Sequence, residues 1–334
     1  MSKNSIKWGI VGTSFISEVM AKAIQESNTG QLAAIASRSL ASAIKFSDKF
    51  SIPKFYDDYQ ALLNDDDIDA IYIGLPNHLH KEMIIRCAQA GKHILCEKPF
   101  VISTDEVDEV ISIVKKSNVF CMEALMYRCH PFTKKLQELI QNKIIGNIKL
   151  YNATYTANIA NVANPIAGGS IRNLGCYPIS LVRLLANAEP IEIRSMGRMN
   201  PKNQTDNQAS VILKFENGSM AVVSTADDIE MFWQFDIYGT EGSLKVITNP
   251  WLPDINNKII IYRNGEHTPT EINVTAEKSL YTYQIDTAGN CITNGNFTKH
   301  DGVSLKDSLG NVNVIEAWLG QVKMQNSQFE LLTT

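Results

Sequence analysis

Ile6-Lys7-Trp8-Gly9-Ile10-Val11, followed by Gly12-Thr13-Ser14-Phe15-Ile16-Ser17, is a short apolar run that breaks at a glycine and opens a segment of helical period. A tight turn between a strand and a helix aims backbone N–H groups and the positive end of the helix at an anion such as a pyrophosphate. Of the glycines in G-x-G-x-x-G only the first stands, as Gly12; Ser14 and Ser17 occupy the other two places. Serine is small enough for close approach, and the Ser14 hydroxyl is a donor for phosphate. Taken alone, the turn serves a purely structural connection equally well. Outward from it, apolar runs at Leu32 to Ala36, Ala70 to Ile73, His93 to Cys96 and Val119 to Met122 alternate with helical-period segments at Ile16 to Glu26, Leu40 to Phe50, Lys81 to Ala90 and Thr104 to Lys116. Strand, helix, strand in repetition requires parallel pairing with long crossovers, so the first half is a doubly wound α/β domain.

The end of the second strand discriminates between dinucleotides. An NAD site usually places a carboxylate there for the ribose 2'-hydroxyl, whereas a 2'-phosphate needs a cation and hydroxyls. Here the chain reads Ala36-Ser37-Arg38-Ser39, with no acid until Asp48, so NADP is expected and NAD is the alternative.

After about Gly146 the pattern changes. Ile148 to Asn158, Ile191 to Met199, Ala209 to Phe215, Ser219 to Thr225, Phe232 to Tyr238, Ser243 to Thr248 and Lys258 to Tyr262 read as strands of a mostly antiparallel sheet. Glu216-Asn217-Gly218 and Gly239-Thr240-Glu241-Gly242 are turn signals. Helices are expected at Tyr177 to Ala188, Tyr281 to Ile292 and Ser304 to Met324, the last opened by a Ser304-x-x-Asp307 capping box, with a loose tail from Gln325. The expected domains are 1–122 for the dinucleotide, 123–303 for substrate and oligomerisation, and a C-terminal helix over 304–325.

Composition removes several function classes. With 31 Lys+Arg against 35 Asp+Glu, the chain lacks the basic surplus that nucleic-acid binding demands. No apolar run reaches membrane-spanning length and the start has no signal-peptide core, so a cytoplasmic protein is expected. The six cysteines are scattered without a CxxC pair, and the HxH of His78 and His80 finds no further ligand in register; no metal is expected.

Leu75-Pro76-Asn77-His78-Leu79-His80 and Ala90-Gly91-Lys92-His93-Ile94-Leu95-Cys96-Glu97-Lys98-Pro99 resemble the Gfo/Idh/MocA oxidoreductase family. Met122-Glu123-Ala124-Leu125-Met126-Tyr127-Arg128 and the stretch from Ala167 to Tyr177 also look like family segments, so the resemblance covers nearly the whole chain. It implies a Rossmann domain followed by an α+β domain with an open sheet, a nicotinamide cofactor, and hydride transfer on a sugar-like substrate. Carried onto this sequence, it implies cofactor contacts from Gly12, Thr13, Ser14, Phe15, Ile16, Ser37, Arg38, Leu75, Pro76, Asn77, His80, Glu97 and Lys98. Substrate contacts would come from Met126, Arg128, Arg172, Asn173 and Tyr177. Lys98 and Tyr177 become the catalytic pair.

Those residues make chemical sense. Lys98 lies just past a strand's C-terminal end, where open α/β sheets bind ligands, and Pro99 restricts its backbone. An ammonium there polarises a carbonyl and stabilises a developing alkoxide, while a tyrosine hydroxyl exchanges the proton. The sequence also departs from the family. Asn173 stands where many relatives carry aspartate, Asn161-Val162 where a Trp-Arg pair is common, Arg172 where an aliphatic residue is usual, and Met126 where some carry tryptophan. Asparagine orients a hydroxyl but carries no charge, so a tightly held cofactor in an internal redox cycle and a catalytically impaired sensor both stay open. A sheet face containing Trp233, Phe235 and Ile237, or the alternate row, leads us to expect a homodimer or a dimer of dimers through the open sheet.

Overall fold

The computed structural model describes residues 5–161, 166–202 and 204–333; Val162 of the Asn161-Val162 departure lies outside the described residues. The chain divides into two compact units, residues 1–129 with 278–309 and residues 130–277 with 310–334.

The first unit alternates β1 (Ile6–Val11), α1 (Phe15–Glu26), β2 (Gly30–Ala36), α2 (Leu40–Phe50), β3 (Lys54–Tyr56), α3 (Tyr59–Leu63), β4 (Ala70–Ile73), α4 (His80–Gln89), β5 (His93–Cys96), α5 (Thr104–Ser117) and β6 (Cys121–Glu123). Its six strands run in the order β3-β2-β1-β4-β5-β6, every pairing parallel. All four residues of β4 are buried, as for a strand packed on both faces, which explains the unbroken apolar runs of the sequence. Ser14, Ser39, Asp58 and Ser103 cap α1, α2, α3 and α5 by accepting an N–H of the first turn. The order reverses between β1's two neighbours, β2 and β4, which is where such sheets bind ligands.

One expected boundary is corrected. A helix α8 (Leu280–Asn294), placed by the sequence reading within 123–303, belongs to the first unit. Its Ile285, Ala288 and Cys291 join a core containing Trp8, Met20 and Ile24, and Asp286 accepts from Ser27 Oγ (2.6 Å) and Asn28 N (3.0 Å). A Cβ on Gly289 would lie 2.3 Å from Thr29 Oγ1, so only glycine permits this approach.

The second unit contains α6 (Pro131–Gln141), β7 (Ile148–Thr156), α7 (Cys176–Ala186), β8 (Glu192–Met199), β9 (Asp206–Lys214), β10 (Met220–Ala226), β11 (Phe232–Gly239), β12 (Gly242–Val246), β13 (Asn256–Arg263) and β14 (Thr270–Thr275). The sheet order is β14-β13-β12-β11-β7-β10-β9-β8, antiparallel except where β7 meets β10. Register settles which row is covered. Phe235, Ala153, Val223 and Val211 pair across four strands and are buried, and Ile237 joins them. The alternate rows read Gln234-Thr154-Ser224-Ser210-Met196 and Asp236-Asn152-Val222-Ile212-Arg194. Phe235 and Ile237 are therefore not on an open face.

The expected loose tail is also corrected. Helix α9 runs from Leu305 to Thr333, opened by the capping box in which Ser304 Oγ accepts from Asp307 N and Asp307 Oδ2 accepts from Ser304 N. In the second unit its amide side chains line the outer edge of β8. Gln321 Oε1 accepts from Ser195 N (2.9 Å) and its Nε2 donates to Ile193 O (3.0 Å). Gln325 Nε2 donates to Ser195 O (2.7 Å) and Asn326 Nδ2 to Gly197 O (3.0 Å).

Candidate active site

At the switch point, Gly12 has φ +99° and a Cβ there would meet Gly74 O at 2.9 Å, so the turn after β1 requires glycine. Ser14 caps α1, and its hydroxyl donates to Gly74 O (3.1 Å) rather than standing free toward solvent. Ser17, in the third glycine's place, is buried; its Oγ fills space that Gly74 leaves open, since a Cβ on Gly74 would lie 2.5 Å from it. The missing glycines are thus offset by one on the neighbouring strand end. Thr13 and Ile16 are half-buried, and Phe15 is 81% exposed at the turn. Across the same crevice, Ser37 is buried with its Oγ accepting from Ser39 N (3.4 Å), and Arg38 is exposed. Burial pushes the Tyr59 hydroxyl upward, and the Arg38 and Arg86 guanidiniums oppose that push. A glycine cradle with an exposed cation beside it fits a dinucleotide bearing a 2'-phosphate.

The segment carrying Lys98 leaves β5 through a cis Lys98-Pro99 bond and is held at three successive backbone positions. Glu97 Oε2 accepts from Lys98 N (3.2 Å), a His80 ring nitrogen sits 3.0 Å from Pro99 O, and Glu123 Oε1 accepts from Phe100 N (3.0 Å). All three side chains are buried. The other ring nitrogen of His80 lies 2.8 Å from Leu75 O; a neutral ring donates its one N–H to either of these carbonyls, so His80 sits between the Leu75-Pro76-Asn77 turn and the Lys98 segment. Burial lowers the His80 pKa against the pull of those carbonyls. Glu97 Oε1 in turn accepts from the Tyr72 hydroxyl (2.7 Å), and Glu123 Oε2 from Ser308 Oγ (2.8 Å). Asn77 is buried, Pro76 exposed, and Lys98 half-buried. Met126 and Arg128 sit on a single turn of 3-10 helix after β6; Arg128 is buried with Asp307 Oδ2 at 3.6 Å.

In the second unit, Arg172 and Asn173 lie on a π-helical turn, Ile171–Gly175, that runs straight into α7 and Tyr177. Single π turns recur at functional sites because they rotate side chains off the regular helical repeat. Asp206, at the start of β9, holds this turn: its Oδ2 accepts from Ser170 Oγ (2.8 Å) and Ile171 N (2.7 Å). Gly169, at φ +105°, allows that carboxylate in; a Cβ would lie 2.1 Å from Asp206 Oδ1. Thr225 Oγ1 donates to Ser170 O (3.3 Å) as a second hold. Tyr177 is 9% exposed, and its ring meets Tyr155 edge-on at 5.5 Å, with Tyr155 packed at a tilt against Trp251 at 4.8 Å. Burial raises the Asp206 carboxyl above its ordinary value, opposed by the Ile171 amide, then the Ser170 hydroxyl, and least by the half-buried Arg172. Asp227, 2% exposed just past β10, is pushed up to about 6 by burial and then by Asp206 and Asp228.

The first unit thus brings together Gly12, Ser14, Leu75, Asn77, His80, Glu97 and Lys98, while Arg172, Asn173 and Tyr177 share one turn and helix of the second. Tyr72, Glu123, Ser308 and Asp206 were missed by sequence reasoning. No group of three or more metal-ligating side chains forms among the described residues, and all six cysteines are buried thiols.

A model of the GFO/IDH/MocA oxidoreductase family, NAD-binding Rossmann fold, matches residues 6–125, and that of the GFO/IDH/MocA C-terminal domain matches residues 133–245. Trans-1,2-dihydrobenzene-1,2-diol dehydrogenase of Xenopus tropicalis is 30% identical over 95% of this chain and 98% of its own. An NADP(+)-linked D-xylose 1-dehydrogenase of Haloferax volcanii is 33% identical over 71% of this chain and 74% of its own. Among solved structures, a 3-ketoreductase from Actinomadura kijaniata in complex with NADP superposes with a TM-score of 0.86 at 23% identity, covering 96% of this chain and 98% of that one.

Proposed function

This chain belongs to the GFO/IDH/MocA oxidoreductase family, and from that membership we propose that it is an NADP-dependent enzyme moving hydride between nicotinamide and a sugar, sugar derivative or related hydroxy/keto compound. When bound, the nicotinamide supplies or accepts the hydride. Gly12 and the start of α1 take the pyrophosphate, and Ser37 and Arg38 take the 2'-phosphate. Lys98 donates to the reacting oxygen and stabilises its developing charge; the Tyr177 hydroxyl gives or takes the proton. The observation that carries this reading is the Lys98 segment, a half-buried lysine whose backbone is fixed by Glu97, His80 and Glu123 at the end of β5, two strands from the dinucleotide turn. A pre-set donor of that kind costs no reorganisation when charge develops.

Steady-state turnover of aldoses, inositols and keto-sugars with NADPH and NADH tests it. NADP(H) should bind at least about tenfold more tightly than NAD(H), and Arg38→Ala should remove most of that difference. Equal affinities would sink the cofactor choice. Asn173 favours one second reading, a cofactor-binding sensor with weakened chemistry; binding of NADPH without turnover of any panel member would select it. For assembly, we propose a homodimer or dimer of dimers through the open sheet face. Its alternate rows carry the exposed Met196 and Ile212, apolar surface that a partner subunit would cover. A monomer mass by light scattering at micromolar concentration would reject this.

A further inference from the structure

We infer that Tyr72 is a positioning residue for Lys98, acting through the carboxylate of Glu97 in the reaction proposed above. Tyr72 lies on β4, with β1 on one side and β5 on the other, and is fully buried. A strand in that place needs only aliphatic packing; a tyrosine brings a hydroxyl that must find a partner. Its partner is Glu97 Oε1 at 2.7 Å, while Glu97 Oε2 receives Lys98 N at 3.2 Å. Both oxygens of a carboxylate that is 8% exposed are therefore supplied with donors, one from the sheet interior and one from the residue that bears the ammonium.

The consequence concerns charge. Burial raises the Glu97 carboxyl above its ordinary value, and the Tyr72 hydroxyl, the Lys98 charge and the Lys98 amide oppose that rise. The other titratable groups near the pair are Cys96 on β5, Tyr281 on α8 and, beyond Cys96, Glu123 on β6. Without the Tyr72 hydroxyl, one oxygen of Glu97 is left buried with no donor, and uptake of a proton becomes the cheaper state. A neutral Glu97 no longer offers Lys98 an anion beside its own backbone. His80 and Glu123 still hold Pro99 and Phe100, so the segment keeps its course while Lys98 loses its reference.

Tyr72→Phe, Glu97→Gln and the double variant test this. Tyr72→Phe should lower kcat about tenfold with KM for substrate and NADPH within about threefold. The acid limb of its kcat profile should move up by about one pH unit, and in Glu97→Gln that limb should disappear. The double variant should be no slower than the slower single, because both act along one path. A purely structural tyrosine would lower the melting temperature and leave the limb in place, and that result, or kcat losses that multiply, would overturn the inference. If Tyr72→Phe does not fold, an unchanged acid limb in Glu97→Gln overturns it alone. An infrared measurement separates this from the functional reading. At neutral pH the cofactor-free Tyr72→Phe protein should show a protonated-carboxyl band gained over the unmodified protein and lost again in the double variant. Absence of the band rejects the inference even if turnover is found; its presence without any turnover rejects only the enzyme reading.

Discussion

The Lys98 segment and the Ile171–Gly175 turn are both fixed by carboxylates from distant strands, but to different degrees. The first is gripped at three consecutive residues by side chains from three places in the chain, Glu97, His80 and Glu123. The second depends on one carboxylate, Asp206, aided by Thr225. The holds on Pro99 and Phe100 keep the segment on course when either fails, while the Lys98 amide rests on Glu97; the π turn has one carboxylate at its start, so its geometry follows that anchor more closely.

The largest expected effect falls on the reacting groups: Lys98→Met and Tyr177→Phe should each lower kcat by about 10² or more with NADPH affinity within a few-fold. Turnover retained in both would remove the proposed centre. Next, the anchors should differ. Asp206→Ala leaves Ser170 Oγ and Ile171 N without their acceptor, which should cost about 3 kcal/mol in denaturant unfolding and lower kcat/KM at least about tenfold. Glu123→Ala should cost about 2 kcal/mol yet hold kcat/KM within about threefold, because Glu123 binds Phe100 N and the Lys98 amide keeps its own contact to Glu97. Similar kinetic losses in the two would erase the contrast. The smallest effect belongs to Asp227. Its folded pKa is raised to about 6, so the folded state binds an extra proton between the unfolded carboxyl's value and about 6, and stability falls as pH rises through that window. Asp227→Asn should therefore gain about 1 kcal/mol above pH about 6, with the gain fading below about pH 4. Thermal melts across that range would show it; a gain independent of pH would not come from the carboxyl.

Much of the first unit was legible because its strands are buried on both faces and Gly12 marks the turn after β1 within a few residues; the capping by Ser14, Ser39 and Ser103 came only with the structure. Short elements were not legible. The Lys54–Tyr56 strand and Tyr59–Leu63 helix are too brief for periodicity to register, and Thr270–Thr275 is an edge strand with alternate residues in water. The α8 pattern announced a helix but not which sheet it would cover, since that depends on Asp286 meeting Ser27 across the whole chain. The parallel β7–β10 contact is likewise a matter of tertiary order. In the site, the Lys98 block was visible as a motif, whereas Tyr72, Glu123 and Asp206 look in sequence like ordinary strand residues. Their function is set by partners 25, 23 and 35 residues away, and only burial makes those hydrogen bonds count.

The amides of α9 along β8 lead to a matter of matched rulers. Four residues of helix rise about 6 Å and two residues of strand about 6.7 Å, so side chains one turn apart on a helix can address alternate carbonyls of an adjacent strand before the two scales drift apart. Gln321 and Gln325 have that separation and meet Ile193 and Ser195; Asn326 continues to Gly197. To the sheet, this helix counterfeits another strand. An incoming chain that tried to lengthen the sheet past β8 would find its ladder already answered by side chains, so a protein carrying a wide mixed sheet avoids templating its own aggregation at that edge by more than the charges of Glu192, Arg194 and Arg198. Glutamines that look expendable in sequence are then a seal, and shortening the chain ahead of Gln321 would turn a boundary into a growing end.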